Sequence, residues 1–279
     1  MNKETFLDLL RLQSRCGYNE AIHEYIKNEL TKLGVQFSIF DKTTIYNIST
    51  PNVPLLAAHT DTVRSEKDDK HAAKNVTEVI NKVKNDGLHY IVNTGGVLGG
   101  DDMCGIHIIL ELLRNKVPIN FLFCDNEETV INASSKDFTK KFSAELSLLP
   151  YCLVLDRKGD GDIICEMNHY GSQLFEDALL EVGEKFGYMP ELGMCSDADY
   201  LRNVISCANL SVGYYKAHSA REFVIWEHME NTYNYIIAIL GELHTKYPTH
   251  PAILTTYFQN SITENILSIF EQSGVLNYR

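Results

Sequence analysis

Apolar residues recur at helical spacing in the first part of the chain. One stripe consists of Phe6, Leu9, Leu10 and Leu12, and a second consists of Ile22, Tyr25, Ile26, Leu30 and Leu33. Residues three and four apart lie on one face of a helix, so each stripe indicates an amphipathic helix. Asn19 is placed to cap the second helix and Gly34 to end it. The pattern predicts two N-terminal helices, the second ending near Leu33.

Short apolar runs replace this pattern in the rest of the chain. They occupy 35–40, 53–58, 119–124, 151–156, 162–167 and 205–215. Runs of this length are typical of strands covered on both faces. Helical stretches are predicted between or after them, at 102–115, 135–147, 171–187 and 221–247. The alternation of strands and helices predicts an α/β protein in three layers.

Two regions fit this alternation less well. Residues 64–87 are highly charged, yet they carry Val76, Val79, Ile80 and Val83 at helical spacing. We expect a helical surface insertion there. Residues 249–279 contain a further amphipathic stretch at 262–270, which predicts a helical tail that packs on the domain or on another subunit. The remainder, 1–248, is expected to form one catalytic domain.

Composition and charge narrow the class of protein. The 279 residues are 44% hydrophobic and 22% charged, and the net charge is −12. A surface of this sign repels nucleic-acid phosphates and anionic lipid, so neither partner is expected. No secretory signal is visible, and the seven cysteines are scattered without a CxxC pair. Reduced thiols of this kind are typical of a cytoplasmic protein.

Acidic and imidazole side chains follow the predicted strands. They are His59 and Asp61 after 53–58, Asp125, Glu127 and Glu128 after 119–124, Asp156 at the end of 151–156, and His218 after 205–215. The glycine-rich turn 95–100 also delivers Asp101 and Asp102 to a helix start; it lacks the Gly-Lys-Ser/Thr of a phosphate loop. The carboxyl ends of parallel strands meet at one edge of a sheet. Clustered there, these acids would repel one another strongly without cations.

The ligand types suit zinc, since they are imidazoles and carboxylates without a cysteine pattern. Their number favours two ions. If Asp101 bridges, one site is His59, Asp101 and Asp156, and the other is Asp101, Glu128 and His218. Cobalt or manganese would fit the same ligands.

Five segments resemble, in order, the motifs of the co-catalytic zinc exopeptidases. They are AAHTDTV, LGGDDMCGI, NEETV, LVLD and GYYKAHSAREFV, and they span about 53–225. This group includes the zinc aminopeptidases and the tripeptidase T and carboxypeptidase G types. The resemblance implies a three-layer αβα sandwich with a mixed, mostly parallel central sheet and a two-zinc site.

The resemblance also implies a role for each matching residue. The implied zinc ligands are His59, Asp101, Glu128, Asp156 and His218, with Asp101 bridging and its peptide to Asp102 cis. The Asp61 carboxylate would fix the His59 tautomer. Glu127 would be the general base, taking a proton from metal-activated water and passing it to the leaving amine.

Substrate-binding candidates are less sharply defined. Asp197, in Ser-Asp-Ala-Asp, resembles a residue of a pocket-lining segment in some relatives, although it would also cap a helix at 198–203. Arg157 and Arg221 would pair with the site's acids, hold a substrate carboxylate or form structural salt bridges. Tyr215 would lie near the substrate or on one face of the sheet.

Many relatives carry a lid or dimerisation domain between the residues that match Asp156 and His218. Only 157–217 lie between them here, so no such domain is expected. We therefore expect a metal-dependent exopeptidase, aminopeptidase-like and acting on small peptides, with homo-oligomerisation left open. Two alternatives remain: a deacylase or amidohydrolase acting on N-acyl amino acids, and a non-catalytic binding protein of the same fold.

Overall fold

The computed structural model describes residues 1–12, 14–80, 87–129 and 133–251. Its α-helices are α1 (Lys3–Leu10), α2 (Glu20–Lys32), α3 (Glu66–Asn75), α4 (Gly100–Arg114), α5 (Ser134–Lys141), α6 (Ser143–Leu146), α7 (Gln173–Gly183), α8 (Ala198–Leu201) and α9 (Trp226–Glu242). Its strands are β1 (Ser38–Phe40), β2 (Thr44–Asn47), β3 (Leu55–His59), β4 (Val76–Ile80), β5 (His89–Asn93), β6 (Asn120–Cys124), β7 (Cys152–Arg157), β8 (Asp162–Ile164), β9 (Met189–Pro190), β10 (Cys207–Ser211), β11 (Tyr214–Tyr215) and β12 (Phe223–Ile225).

Eight strands form the central sheet, in the order β1-β2-β6-β3-β7-β10-β8-β9. Its middle strands β6, β3, β7 and β10 are parallel, whereas β1, β2 and β8 introduce antiparallel pairs. The predicted mixed, mostly parallel sheet is therefore confirmed. No helix among the described residues is long and apolar enough to cross a membrane.

Alternate residues of the central strands face opposite layers of helices. On β3, Leu56 and Ala58 belong to a core that includes residues of α1, α2, α4, α7 and α9. Leu55 and Ala57 belong to a second core with residues of α5, α6 and α8. Because successive side chains of a strand point to opposite faces, this division confirms the three-layer prediction.

The structure also contains a smaller sheet that the apolar pattern missed, apart from β11, which lies at the end of the predicted run 205–215. Its order is β11-β12-β5-β4, and all its pairs are antiparallel. The helical prediction for 64–87 holds for Glu66–Asn75 but is wrong for Val76–Ile80, which pairs with His89–Asn93. β-branched residues favour this extended conformation. The rest of that region, 81–86, and most of the predicted tail, 252–279, lie outside the described residues.

The N-terminal ends of α9 and α2 differ from the predictions in position and in capping, respectively. The last predicted helix begins at Trp226 rather than near 221, because Phe223–Ile225 pairs with β5. The second helix begins after Asn19 as predicted, but the Asn19 side chain does not cap it. Instead, the Asn19 amide donates a hydrogen bond to Asp125 beside the strand end of β6. A tertiary contact thus replaces the expected local one.

Candidate metal centre

The predicted strand-end groups come together at one edge of the central sheet. His59 ends β3, Asp156 lies near the end of β7, and a short 3-10 helix after β6 carries Glu127 and Glu128. Asp101 lies at the start of α4, where its backbone is not yet helical. The remaining member, His218, lies between β11 and β12 of the smaller sheet.

The Asp101 carboxylate lies between the two imidazoles. Its Oδ1 is 3.1 Å from Nε2 of His59, and its Oδ2 is 3.1 Å from Nε2 of His218. Nε2 of His218 also lies 2.9 Å from Oε1 of Glu128, and Nε2 of His59 lies 3.4 Å from Oδ1 of Asp156. The five predicted ligands therefore converge in two groups that share Asp101.

Donor atoms within 4.8 Å of one another form two candidate ion sites among the described residues. One is His59, Asp101 and Glu128, and the other is His59, Asp102 and Asp156. Asp102 was not predicted as a ligand. Its carboxylate already accepts backbone N–H groups of His59 at 3.2 Å and Gly105 at 3.0 Å. This engagement favours Asp102 as a support for the helix start rather than as a ligand.

Asp61 contacts both His59 and the short helix that carries Glu127 and Glu128. Nδ1 of His59 lies 2.9 Å from the Asp61 carbonyl oxygen and 3.5 Å from the Asp61 carboxylate. The backbone carbonyl, rather than the expected carboxylate, therefore fixes Nδ1 as the donor and leaves Nε2 to face the predicted ligands. The Asp61 carboxylate accepts the backbone N–H groups of Glu127 at 3.1 Å and Glu128 at 3.2 Å. Burial raises the Asp61 pKa, but the hydrogen bond and charge of His59 outweigh it and hold the pKa low.

Burial and neighbouring charges raise the pKa values of three groups in the centre. Burial, reinforced by the charge of Asp156, raises the pKa of Glu127 to about 9. Burial also raises the pKa of Asp156 to about 7, although the charge of His59 opposes the shift. Hydrogen bonds with Asp101 and Glu128 raise the pKa of His218 to about 10. Bound cations would offset this buried negative charge, and metal ions displace protons from their ligands when they bind. Imidazole and carboxylate donors in this number fit zinc or a similar dication.

The turn before α4 is held by two buried residues that the sequence analysis missed. The Glu222 carboxylate is 2% exposed and accepts the N–H groups of Gly99 at 2.8 Å and Asp101 at 3.2 Å. The Arg64 guanidinium donates to the carbonyl oxygens of Leu12 at 2.7 Å and of Leu98. Their only sequence signal is position: Arg64 follows the HTD motif, and Glu222 stands four residues after His218. The peptide between Asp101 and Asp102 is cis, as the resemblance implied.

Gly105 permits the close approach of α4 to the centre. A Cβ there would lie 2.3 Å from the Leu155 carbonyl oxygen and 2.7 Å from both Asp102 carboxylate oxygens. We expect Gly105→Ala to lower the free energy of unfolding by about 1–3 kcal/mol and to weaken metal binding, as measured by urea denaturation and metal titration. Gly241→Ala is the matched control, because nothing lies within 4 Å of its added Cβ. Equal effects of the two substitutions would contradict the packing argument.

The four substrate-binding candidates lie in different settings. Asp197 lines a cavity that Glu127 also lines, and its side chain makes no capping hydrogen bond to α8. Arg157 donates to Asp162 at 3.0 Å, and the Tyr215 hydroxyl bonds Asp160 at 2.7 Å and the His228 ring at 2.6 Å. Arg221 is exposed and forms no ion pair with a described residue. Of the four, the structure places Asp197 beside the predicted base.

Known structures share this fold. The chain resembles aminopeptidase PepT from Bacillus cereus, with a TM-score of 0.65 and 16% identity over 86% of this chain and 97% of that one. A Staphylococcus aureus tripeptidase gives a TM-score of 0.62 and 16% identity over 85% of this chain and 96% of that one. The Pyrococcus horikoshii TET1 peptidase gives a TM-score of 0.58 and 16% identity over 85% of this chain and 98% of that one. That peptidase can assemble into a tetrahedron or a large octahedral shell. No protein-family model and no curated protein sequence matches the chain. At these identities the likeness establishes the fold.

Proposed function

We propose that the protein is a two-metal exopeptidase, aminopeptidase-like, that hydrolyses small peptides. The observation that carries the proposal is the Asp101 carboxylate, whose two oxygens each face a different imidazole at 3.1 Å. A carboxylate in this position is suited to bridge two dications. The peptidases among the similar structures support the same class of reaction.

The chain's own residues have distinct parts in this reaction. Two ions, when bound, would lower the pKa of water towards about 7 and polarise the scissile carbonyl. Glu127 would accept the proton of the attacking water and deliver it to the leaving amine. Asp61 would keep the His59 ring in its ligating tautomer and, through two backbone N–H groups, hold Glu127 and Glu128 beside it. No covalent intermediate with the protein is required.

The setting of the protein is part of the proposal. We expect a cytoplasmic enzyme, since all seven cysteines are free. We also expect a homo-oligomer, by analogy with the TET1 assembly. Light scattering after size exclusion measures this directly, and a monomer at micromolar concentration would remove oligomerisation from the proposal.

Metal removal tests the proposed function. We expect the isolated protein to carry two dications per chain and to hydrolyse leucine p-nitroanilide. A chelator should abolish turnover and lower the melting temperature, because metal at 100 times its Kd stabilises a fold by about 2.7 kcal/mol. Zinc, cobalt or manganese should restore both. A folded protein that binds no metal would favour the scaffold alternative, and hydrolysis of N-acyl amino acids alone would favour the deacylase.

A further inference from the structure

Thr60 stands between His59, a predicted ligand, and Asp61, which contacts the ring of His59. It is fully buried, and its backbone N–H and its hydroxyl both donate to the Cys124 carbonyl oxygen at 2.9 Å. Cys124 is the last residue of β6, and the short 3-10 helix that carries the proposed base follows shortly after it. These two hydrogen bonds therefore join the end of β3 to the end of β6.

A histidine of α2 contacts the same hydroxyl. Nε2 of His23 lies 3.0 Å from Oγ1 of Thr60, and both side chains are buried. A hydroxyl group has one hydrogen and a carbonyl oxygen can only accept, so the Thr60 hydrogen goes to Cys124. Nε2 of His23 must then carry a hydrogen and donate it to Oγ1. The result is a chain of hydrogen bonds from α2 through the end of β3 to the end of β6.

The start of α2 makes a second contact with this edge of the sheet. Asn19, one turn before His23, donates to the Asp125 carboxylate directly after β6. Residues one turn apart lie on the same face of a helix, so Asn19 and His23 face the two strand ends together. Burial lowers the pKa of His23, although the charge of Asp125 opposes the shift. This favours a neutral ring, whose N–H is donated to Thr60.

We infer that His23 is a positioning residue of the metal centre: through Thr60, it holds the ends of β3 and β6 at the spacing that the ligands and the base require. The inference rests on the proposed function and adds to it a residue outside both candidate ion sites. Because His23 would act only through Thr60, its effect should depend on the N–H donor and on the hydroxyl that accepts it. Partners that orient metal ligands commonly change metal affinity or activity by about 10- to 100-fold.

Three substitutions separate the hydrogen bond from the volume of the ring. His23→Leu removes the donor, His23→Gln keeps an amide N–H at a similar reach, and Thr60→Val removes the hydroxyl at nearly the same size. His107→Leu is the matched control, because His107 is also a buried histidine on a helix. Its Nε2 has no hydrogen-bond partner among the described residues, and its ring lies beside Phe6 and Trp226.

Equilibrium dialysis of the full chain against zinc measures metal affinity, and kinetics on the loaded enzyme measure kcat and KM. We expect His23→Leu and Thr60→Val each to lower zinc affinity and kcat by roughly 10-fold, with little change in KM. The double substitution should cost no more than either single one, since both break the same chain of hydrogen bonds. His23→Gln should stay near the wild type, and His107→Leu should change none of these quantities.

Other results would contradict the role of His23. Wild-type zinc affinity and kcat in His23→Leu, or equal losses in His23→Gln and His23→Leu, overturn the inference. Additive losses in the double substitution would show that His23 and Thr60 act separately, which also overturns it.

Cys16 gives a local readout that does not depend on activity. Its thiol donates to the Asp61 carboxylate at 3.2 Å, so its alkylation reports opening beside the end of β3. In His23→Leu, alkylation of Cys16, mapped by mass spectrometry, should rise roughly 2- to 10-fold, the range of one buried hydrogen bond. The exposed Cys195 should react as in the wild type, and the buried Cys152 should stay protected. Increased reaction of Cys152 would instead show global destabilisation and overturn the positioning role.

Failure of the inference and failure of the proposed function give different results. If the wild type binds zinc but hydrolyses no peptide, the proposed function fails, and zinc affinity and Cys16 alkylation still decide the role of His23. If the wild type hydrolyses peptides and His23→Leu behaves like it in every readout, the inference fails and the function stands.

Discussion

Replacing Glu127 by Gln is expected to lower kcat by about 10²- to 10⁴-fold, the usual contribution of a general acid–base group. The amide has nearly the same size but cannot accept and return the proton. The Glu127 backbone N–H would still donate to Asp61, so the ligand framework should persist. Metal content and kcat, measured on the same preparation, test this expectation together.

Glu181→Gln is the matched control, because Glu181 is an exposed residue on α7, away from the proposed ligands. It should leave both kcat and metal content unchanged. If Glu127→Gln keeps near-normal turnover with two metals bound, the base assignment is wrong. If it loses metal as well, Glu127 acts on the ions rather than on the proton.

Replacing Asp101 by Asn is expected to reduce the metal content from two ions per chain to one or none. The Asp101 carboxylate has one oxygen facing each imidazole. The amide keeps one carbonyl oxygen and has N–H donors in place of the second oxygen, so it could bind an ion on one side only. Because a direct ligand is lost, metal affinity should fall by more than the 10- to 100-fold typical of outer partners. Turnover should become undetectable.

Equilibrium dialysis with metal analysis measures this effect, and Asp177→Asn, at an exposed position on α7, serves as the surface control. Circular dichroism should show that the fold survives, since the backbone N–H of Asp101 still donates to Glu222. Two ions retained at wild-type affinity by Asp101→Asn would show that another residue, such as Asp102, links the sites.

The meeting of four of the five predicted ligands could be expected from the sequence, because His59, Glu128, Asp156 and His218 come at or after the ends of apolar runs, whereas Asp101 follows a glycine-rich turn. His59 and Asp156 stand at the ends of buried parallel strands, and the carboxyl ends of such strands meet at one edge. The position of these residues at strand ends was therefore enough to predict that their side chains lie close together. The same reasoning located Glu127 and Glu128 directly after β6.

The supporting residues could not be predicted in this way. Glu222 and Arg64 act on backbone groups of the turn before α4, which are distant in sequence and carry no side-chain signal. Strands β2 and β5 were missed because their short segments mix polar and apolar positions. Val76–Ile80 was assigned the wrong period, since helical and extended spacings are hard to separate over five residues.

The position of His218 has a mechanical consequence. The hairpin of β11 and β12 belongs to the smaller sheet, whereas His59 and Asp156 belong to the central one. Ions bound by His218 together with His59 and Asp156 would link the smaller sheet to the central one. Metal removal would take away one link between the sheets, whereas Tyr214 and Val224 of the hairpin would stay packed in the core that they share with the central sheet. Loss of metal is therefore expected to loosen the loop that carries His218 more than the hairpin strands that flank it.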